Sequence, residues 1–207
     1  MAIRKKILDA AEELFFHYGI KTITMDDIAS HLGMSKRTIY ENFPTKDDII
    51  STLMKNHLGN NMELCKKRCA ESGNAIEEII SMMHHLREMF SRMNSHILLD
   101  LKKFHPLVWK QFKDFKNEFL MKTISDNIKR GIAEGIYRKK INVDILARMR
   151  IEQVEMAWNP EIFPSSKYEL KDVQLSLLEH FLYGITNIKG HKLIENYKKN
   201  KNVTVAI

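Results

Sequence analysis

The first residues of the chain alternate apolar and polar side chains with the period of an α-helix. Apolar residues recur every three or four positions from Ile3 to Tyr18, charged residues fill the positions between them, and Gly19 follows. Such a stripe covers one face of an amphipathic helix, and glycine often ends a helix because it tolerates positive φ. The pattern predicts a first helix over residues 3–18.

Two short helical patterns come next, each preceded by a hydroxyl residue. Thr24 precedes a segment with acids in its first turn, and Ser35 precedes a second segment that ends before Pro44. Thr and Ser cap helix N-termini through their side-chain oxygen, and acids there suit the helix dipole. Two helices of about two turns, joined by a short turn containing Gly33, are typical of a helix-turn-helix motif.

The rest of the chain repeats the helical period in longer segments and has no convincing strand pattern. Predicted helices cover residues 46–70, 75–93, 97–104, 107–133, 143–158 and 170–188, and Gly190 is interpreted as a break before a polar tail. With 8 Gly and 4 Pro in 207 residues, helix breakers are few. We expect an all-α protein of about nine helices, with a three-helix head at 1–46 and a larger helical body at 47–207.

Charge points toward a polyanionic partner only weakly. The net charge is +7 and the pI about 9.3, which favours nucleic acid or an anionic membrane. Within residues 1–48, however, acids slightly outnumber Lys and Arg, and much of the excess lies late, as at Lys198 and Lys199. A DNA-binding interpretation therefore depends on the pattern of the head. Two cysteines, no signal peptide and no membrane-length apolar run predict a reduced, cytoplasmic protein that does not insert into a membrane.

The head resembles the DNA-binding domain of the TetR family of transcriptional regulators. The resemblance lies in residues 7–15, 22–29, 32–40 and 43–49 and needs no insertion. It implies a dimeric DNA-binding regulator, most often a repressor, in which a ligand entering the body changes the spacing of the two heads. The body resembles the family in size and helicity, and Gly184-Ile185-Thr186 with Gly190 is similar to the family's last dimer helix.

The second helix of a helix-turn-helix lies in the major groove of double-stranded DNA, where its N-terminal residues reach base edges. The residues at that position, with side chains suited to base edges, are Ser35, Lys36, Arg37 and Thr38. Three further residues are expected to contact phosphates, Tyr40 by analogy with the family: Thr24, Tyr40 and Lys46. Outside this context, the same run would be interpreted as a capped helix start with solvated charges, and Tyr40 as a half-buried core residue.

Two groups of apolar residues in the body suggest further roles. Met and aromatic side chains that are candidates for a pocket binding a small apolar or amphipathic effector are Met82, Met89, Phe90, Met93, Phe104, Trp109, Phe112 and Trp158. A wide apolar face on the last long helix, with the helix before it, is the candidate homodimer interface and comprises Val173, Leu177, Leu178, Phe181 and Ile185. Ordinary core packing within one chain is the alternative for both groups.

Catalytic and metal chemistry find little support in the sequence. Cys65 and Cys69 share a helix face and could bind one metal ion together. The adjacent His84 and His85 point about 100° apart on a helix, so at most one of them could join the cysteines, and a tetrahedral site would lack its fourth ligand. No Gly-rich phosphate loop, nucleophile elbow or metalloprotease motif is present. We therefore predict no metal, no cofactor and no enzymatic activity. The preferred function is a repressor released from a pseudo-palindromic operator by a small molecule. The alternatives are an activator with the same DNA chemistry, and a helical ligand-binding or interaction protein with a degenerate head.

Overall fold

The first helix, α1 (Ala2–Tyr18), forms as its apolar stripe predicts. We describe the protein from a computed structural model, which covers residues 2–200. The middle of the apolar face of α1 is buried and comprises Ile7, Ala10, Ala11, Leu14 and Phe15, whereas Ile3 and Tyr18 at the two ends of the stripe are exposed. Gly19 follows with φ of 83°, the left-handed conformation that ends a helix without steric cost to glycine.

Helices α2 (Met25–Leu32) and α3 (Lys36–Asn42) complete the head. Ile28 of α2 and Ile39 of α3 are fully buried, and both helices pack against α1. Gly33 turns the chain between them with φ of 61°, and its N–H donates to carbonyls at the end of α2. The predicted helix-turn-helix is confirmed.

The remaining elements are also helical, so the predicted all-α class is confirmed. They are α4 (Lys46–Glu71), α5 (Ala75–Ser91), α6 (Ile97–Phe104), α7 (Pro106–Asp114), a π-helical segment (Phe115–Leu120), α8 (Met121–Ala133), α9 (Val143–Met156), α10 (Leu170–Ile185) and α11 (Ile188–Asn200). Over residues 2–200 the only β-type pairing is an isolated antiparallel bridge between Tyr137 and Thr186.

Two sequence expectations about helices were wrong. The helix predicted over 107–133 is divided by the π-helical segment, where Lys116 turns inward to carboxylates of α9. The stretch interpreted as a polar tail forms α11, and Gly190 lies inside it. A Cβ at Gly190 would come within 2.3 Å of the Ile136 carbonyl oxygen, so this glycine permits a close backbone approach rather than breaking the helix. Ile194 on the same helix is buried, which explains why the helix is stable.

The chain forms two compact units. Of the described residues, the first unit contains 2–61 together with Arg92–Phe115, and the second contains Met62–Ser91 together with 116–200. The apolar core of the second unit is built by α5, α8, α9, α10 and α11 and includes Ile76, Ile128, Tyr137, Leu182 and Ile185. The predicted domains, 1–46 and 47–207, are defined by expected function, and their boundary differs from that of the two compact units. This division stays a prediction.

Candidate nucleic-acid interface

Thr24 fixes the start of α2 through a reciprocal pair of hydrogen bonds. The backbone N–H of Asp27 donates to Thr24 Oγ1 at 3.1 Å, and the backbone N–H of Thr24 donates to Asp27 Oδ2 at 2.8 Å. Hydrogen bonds from the Thr24 side chain and backbone lower the pKa of Asp27. The predicted cap is confirmed, and the exposed Thr24 stands at the positive end of the α2 dipole, where an anion such as phosphate is favoured.

Ser35 starts α3 in the same way, with a simpler cap. Its Oγ accepts from the backbone N–H of Thr38 at 3.1 Å and lies 2.9 Å from Thr38 Oγ1. Ser35 is exposed, whereas Thr38 is half-buried. This cap holds the first turn of α3 in a defined conformation, with the candidate base-reading residues on it.

The exposed residues of α3 are Lys36, Arg37, Tyr40 and Glu41. Lys36 Nζ pairs with Asp26, and Arg37 Nε donates to Glu41 Oε1 at 2.7 Å. The hydrogen bond to Asp26 raises the pKa of Lys36. Tyr40 lies one turn on from Lys36, and 47% of its surface is exposed, so it is not the core residue of the alternative interpretation. Exposed ion pairs of this kind contribute about 0–1 kcal/mol, so DNA can compete for both cations.

Lys46 is half-buried, unlike Thr24 and Tyr40, the two other candidate phosphate contacts, which are exposed. Its Nζ donates to the backbone carbonyl of Ile20 and lies 5.7 Å from the centre of the Phe15 ring. Burial lowers the pKa of Lys46, because its ammonium is partly removed from water. The hydrogen bond to Ile20 uses one of the three N–H donors of the ammonium, so a phosphate contact would use the other two.

Arg4 is a residue that sequence reasoning missed. Its guanidinium lies 4.1 Å from the centre of the Phe43 ring and donates to the backbone carbonyl of Asn42, at the end of α3. Arg4 therefore connects the start of α1 to the end of the candidate recognition helix. The only sequence signal for this role is a cation on α1 and an aromatic residue just after α3, which alone does not specify a contact.

Comparison with known proteins agrees with this geometry. The family model described as "Bacterial regulatory proteins, tetR family" matches residues 7–53. An uncharacterised HTH-type transcriptional regulator of Bacillus subtilis, YvaF, is 26% identical over 88% of this chain and 95% of its own. The HTH-type transcriptional repressor KstR2 of Mycolicibacterium smegmatis is 21% identical over 91% of this chain and 93% of its own. The crystal structure of FadR from Bacillus subtilis with stearoyl-CoA has a TM-score of 0.65 at 21% identity and covers 87% of this chain and 98% of that one.

Residues 7–53 therefore form a helix-turn-helix domain of the TetR type. The two relatives named above match most of the chain and are described as HTH-type transcriptional regulators. The family model covers α1, α2, α3 and the beginning of α4, where the caps and exposed cations described above lie.

The candidate effector-binding residues fall into both units. Met82, Met89, Phe90 and Trp158 belong to the second unit, where the rings of Phe90 and Trp158 meet edge to face at 5.9 Å. The others belong to the first unit and are Met93, Phe104, Trp109 and Phe112. Trp109 and Phe112 stack on each other at 5.3 Å. Phe104 is 41% exposed beneath the ammonium groups of Lys21 and Lys103, a surface position rather than the interior position expected of it.

The candidate dimer residues lie mostly inside the single chain. Val173, Leu178, Phe181 and Ile185 are buried, the last three within the core of the second unit, and only Leu177 of the predicted set is half-buried. Their burial accounts for their apolar character without a partner chain. The outer surface of α9 instead carries Ile145 and Met149, which are 59% and 43% exposed.

Other chemistry is limited in the described part of the chain. Residues 2–200 contain no group of three or more His, Cys, Asp and Glu side chains placed to hold a metal ion. Burial raises the pKa of Cys65 to about 11, so this thiol stays protonated at neutral pH. Within the same range, every helix is too short or too polar to span a bilayer.

Proposed function

We propose that this protein is a ligand-responsive repressor of the TetR type, which binds a pseudo-palindromic operator as a homodimer and leaves it when a small molecule binds the body. The observation that carries the proposal is the exposed surface of Lys36, Arg37 and Tyr40 on a capped α3. The cap and the buried Ile39 hold this helix in place, so its side chains can enter the major groove without refolding.

The residues divide into two roles. Lys36 and Arg37 are proposed to donate to guanine, with Ser35 and Thr38 offering hydroxyls to neighbouring base edges. Thr24 and Tyr40 are proposed to contact phosphates, since both are exposed and carry hydroxyls. The Thr24 hydroxyl donates to Asp27 Oδ2 at 2.7 Å, and a phosphate oxygen would have to replace that acceptor. Lys46 joins Thr24 and Tyr40 through the N–H donors that the Ile20 carbonyl does not use. Phosphate contacts then supply affinity and register, and base contacts supply specificity.

A dimer is proposed because one short helix reads few bases. Each good base contact contributes about 1–3 kcal/mol, and a symmetric pair of heads doubles the number of contacts. The exposed, neighbouring Ile145 and Met149 on α9, with Leu177 on α10, are the residues we propose for the dimer surface. Large apolar side chains on an exposed helix face are typical of protein interfaces.

Regulation by a small molecule is proposed from the relatives. FadR of Bacillus subtilis was solved with stearoyl-CoA, and another structure of similar fold, SmeT, was solved with triclosan. Both ligands have large apolar parts, in keeping with an apolar or amphipathic effector here. We assign the protein no enzymatic activity and place it in the cytoplasm, where a bacterial regulator meets its DNA.

The test is selection from random-sequence duplexes with purified protein, shown by native mass spectrometry to be free of bound small molecules. We expect enrichment of a palindrome whose half-sites lie about one helical turn, or a multiple of it, apart. Absence of any enriched sequence would contradict DNA recognition and favour the ligand-binding protein with a degenerate head. A reporter gene with the selected site at its promoter then separates repression from activation, because the two change expression in opposite directions.

A further inference from the structure

Buried charged and imidazole side chains in this protein have partners, with one exception. Those below one-tenth exposure within residues 2–200 are Glu78, Asp100, His105, Lys116 and Arg150. Four are satisfied by specific contacts: Arg130 with Glu78 at 3.2 Å, the Lys21 N–H with Asp100 at 2.8 Å, Asp47 with His105 at 2.6 Å, and Glu155 with Lys116 at 2.6 Å. The exception is Arg150, which has no carboxylate partner in the described part of the chain.

Arg150 lies on the inward face of α9. Ala147 and Ile151, beside it on the helix, are buried, and α9 packs against α8 and α10. Arg150 is 5% exposed, and its Nη1 is buried with no hydrogen-bond partner in the protein. Burial lowers the pKa of Arg150 to about 10, which still leaves the guanidinium charged at neutral pH. The second unit therefore encloses a positive charge that its own residues do not neutralise.

A second unsatisfied group lies one turn further along the same helix. Gln153 Oε1 is buried and accepts no hydrogen bond. Residues three apart on a helix are neighbours on one face. The same face of α9 therefore carries an unsatisfied donor on Arg150 and an unsatisfied acceptor on Gln153. Water can satisfy such hydrogen bonds, but it does not neutralise a charge, and a buried unpaired charge is strongly unfavourable.

Lys116 is a second buried cation of the same unit, and the unit supplies partners for it. Burial opposes its charge, but hydrogen bonds to Glu155 and Glu152 outweigh this effect and raise the pKa of Lys116. Both carboxylates come from α9, the helix that carries Arg150. Helix α9 therefore supplies carboxylate partners for Lys116 and none for Arg150. This difference is expected if the partner of Arg150 is an anion that does not belong to the protein chain.

We propose that the second unit binds a small amphipathic anion, whose carboxylate, sulfonate or phosphate oxygens pair with Arg150 while its apolar part lies against the surrounding core. A hydroxyl or amine on the ligand is positioned to donate to Gln153. The identification of this anion as the effector rests on the proposed function. The anion site itself rests on Arg150 alone.

The test uses two fluorescent probes that differ by one charged group: anilinonaphthalene sulfonate, and phenylnaphthylamine, which has the same rings without the sulfonate. Each is titrated into the full chain. We expect the wild-type protein to bind the sulfonate probe saturably, with a Kd at least about tenfold lower than that of the neutral probe. The reason is that only the sulfonate can form a buried charge pair with Arg150. Arg150→Met should abolish this preference and leave the affinity for the neutral probe unchanged.

Arg148→Met is the matched control, since Arg148 lies on the same helix, is exposed and pairs with Asp144 at 2.9 Å. It should bind both probes as the wild type does. Arg150→Met should also raise the Tm of the ligand-free protein, because it removes an unpaired buried charge. If Arg150→Met does not fold, Arg150→Lys keeps the charge without the planar fork and should retain only part of the preference.

Two results would overturn the anion site: equal affinity of the wild type for both probes, or an unchanged preference in Arg150→Met. Titration of the selected operator in the same samples distinguishes this proposal from the proposed function. Release of DNA by the sulfonate in the wild type and not in Arg150→Met supports the regulatory role. An Arg150-dependent preference without release of DNA supports the anion site and contradicts that role. A wild type that never binds DNA contradicts the proposed function and not the anion site.

Discussion

The head and the second unit handle polar groups in opposite ways. In the head, the capping bonds join residues three apart, as Thr24 and Asp27 do, and the charged side chains of Lys36 and Arg37 are exposed to water. In the second unit, Asn127 is buried, donates to the Ala75 carbonyl at 3.0 Å and accepts from the Tyr137 hydroxyl at 3.0 Å. Function on the exposed surface of the head can therefore be removed without disturbing the fold, whereas at a buried polar residue of the second unit such as Asn127 a change of chemistry is also a change of packing.

The largest expected effect tests this separation in the head. Replacing Lys36 and Arg37 together by Ala should weaken binding to the selected operator by at least about 100-fold, since each good base contact contributes about 1–3 kcal/mol. The free energy of unfolding should change by less than about 0.5 kcal/mol, because both side chains are exposed. Fluorescence anisotropy and denaturant unfolding measure the two quantities.

Lys122→Ala is the control for loss of an exposed cation, because Lys122 forms an exposed pair with Asp126 on α8. It should change neither quantity appreciably. Unaltered operator affinity in the double variant would contradict the role of Lys36 and Arg37 in DNA binding. A large loss of stability would contradict the separation of DNA binding from folding stability in the head.

The opposite behaviour is expected of Gly131 in the second unit. A Cβ there would lie 2.2 Å from the ring of Tyr137, which is itself fully buried. Gly131→Ala should lower the free energy of unfolding by about 1–3 kcal/mol through overpacking. Gly59→Ala, where no atom lies within 4 Å of the added Cβ, should instead raise it by about 0.5–1 kcal/mol. Equal stability of the two variants, measured by denaturant unfolding, would contradict this account of the core.

Two equivalent caps sharpen the comparison inside the first unit. Thr45 and Asp48 exchange hydrogen bonds at the start of α4 as Thr24 and Asp27 do at α2. Thr24→Ala and Thr45→Ala should each cost about 1 kcal/mol of stability. Operator affinity should fall several-fold more in Thr24→Ala, because only Thr24 is proposed to contact a phosphate. Identical affinities in the two variants would remove Thr24 from the interface.

The smallest expected effect concerns pH. Hydrogen bonds from Thr24 place the folded-state pKa of Asp27 below its ordinary value of 3.8. The stabilisation is therefore present above that ordinary value and is lost as the pH falls through the lower, folded-state value. Asp27→Asn should show a weaker decline of Tm over acidic pH than the wild type. Parallel declines would mean that the cap does not depend on the carboxylate.

The same contrast explains what sequence could predict. Thr24, Ser35 and Gly33 act through neighbours within a few positions, so their roles could be inferred from spacing, and the structure confirms the caps and the turn. Gly190 and Lys116 act through distant partners, Ile136 and Glu155, which no local pattern specifies. For this reason α11 was interpreted as a tail and the π-helical segment as ordinary helix.

Apolar periodicity had a similar limit. It placed Val173, Leu178, Phe181 and Ile185 on a face of α10, but it could not distinguish a face buried in the same chain from one that meets a second chain. Arg150 was overlooked because arginine on a helix is ordinarily exposed, as Arg148 is. Its burial depends on the packing of α9 against α8 and α10.

The most direct test of the central claim compares the full selected palindrome with a duplex carrying one half-site, at two salt concentrations. The account predicts at least about 100-fold tighter binding to the full site, since the second head adds its own base contacts. It also predicts a steeper dependence of the binding constant on salt for the full site, because twice as many phosphates are contacted. Equal affinity and equal salt dependence for the two duplexes would contradict a dimer that recognises DNA through paired heads.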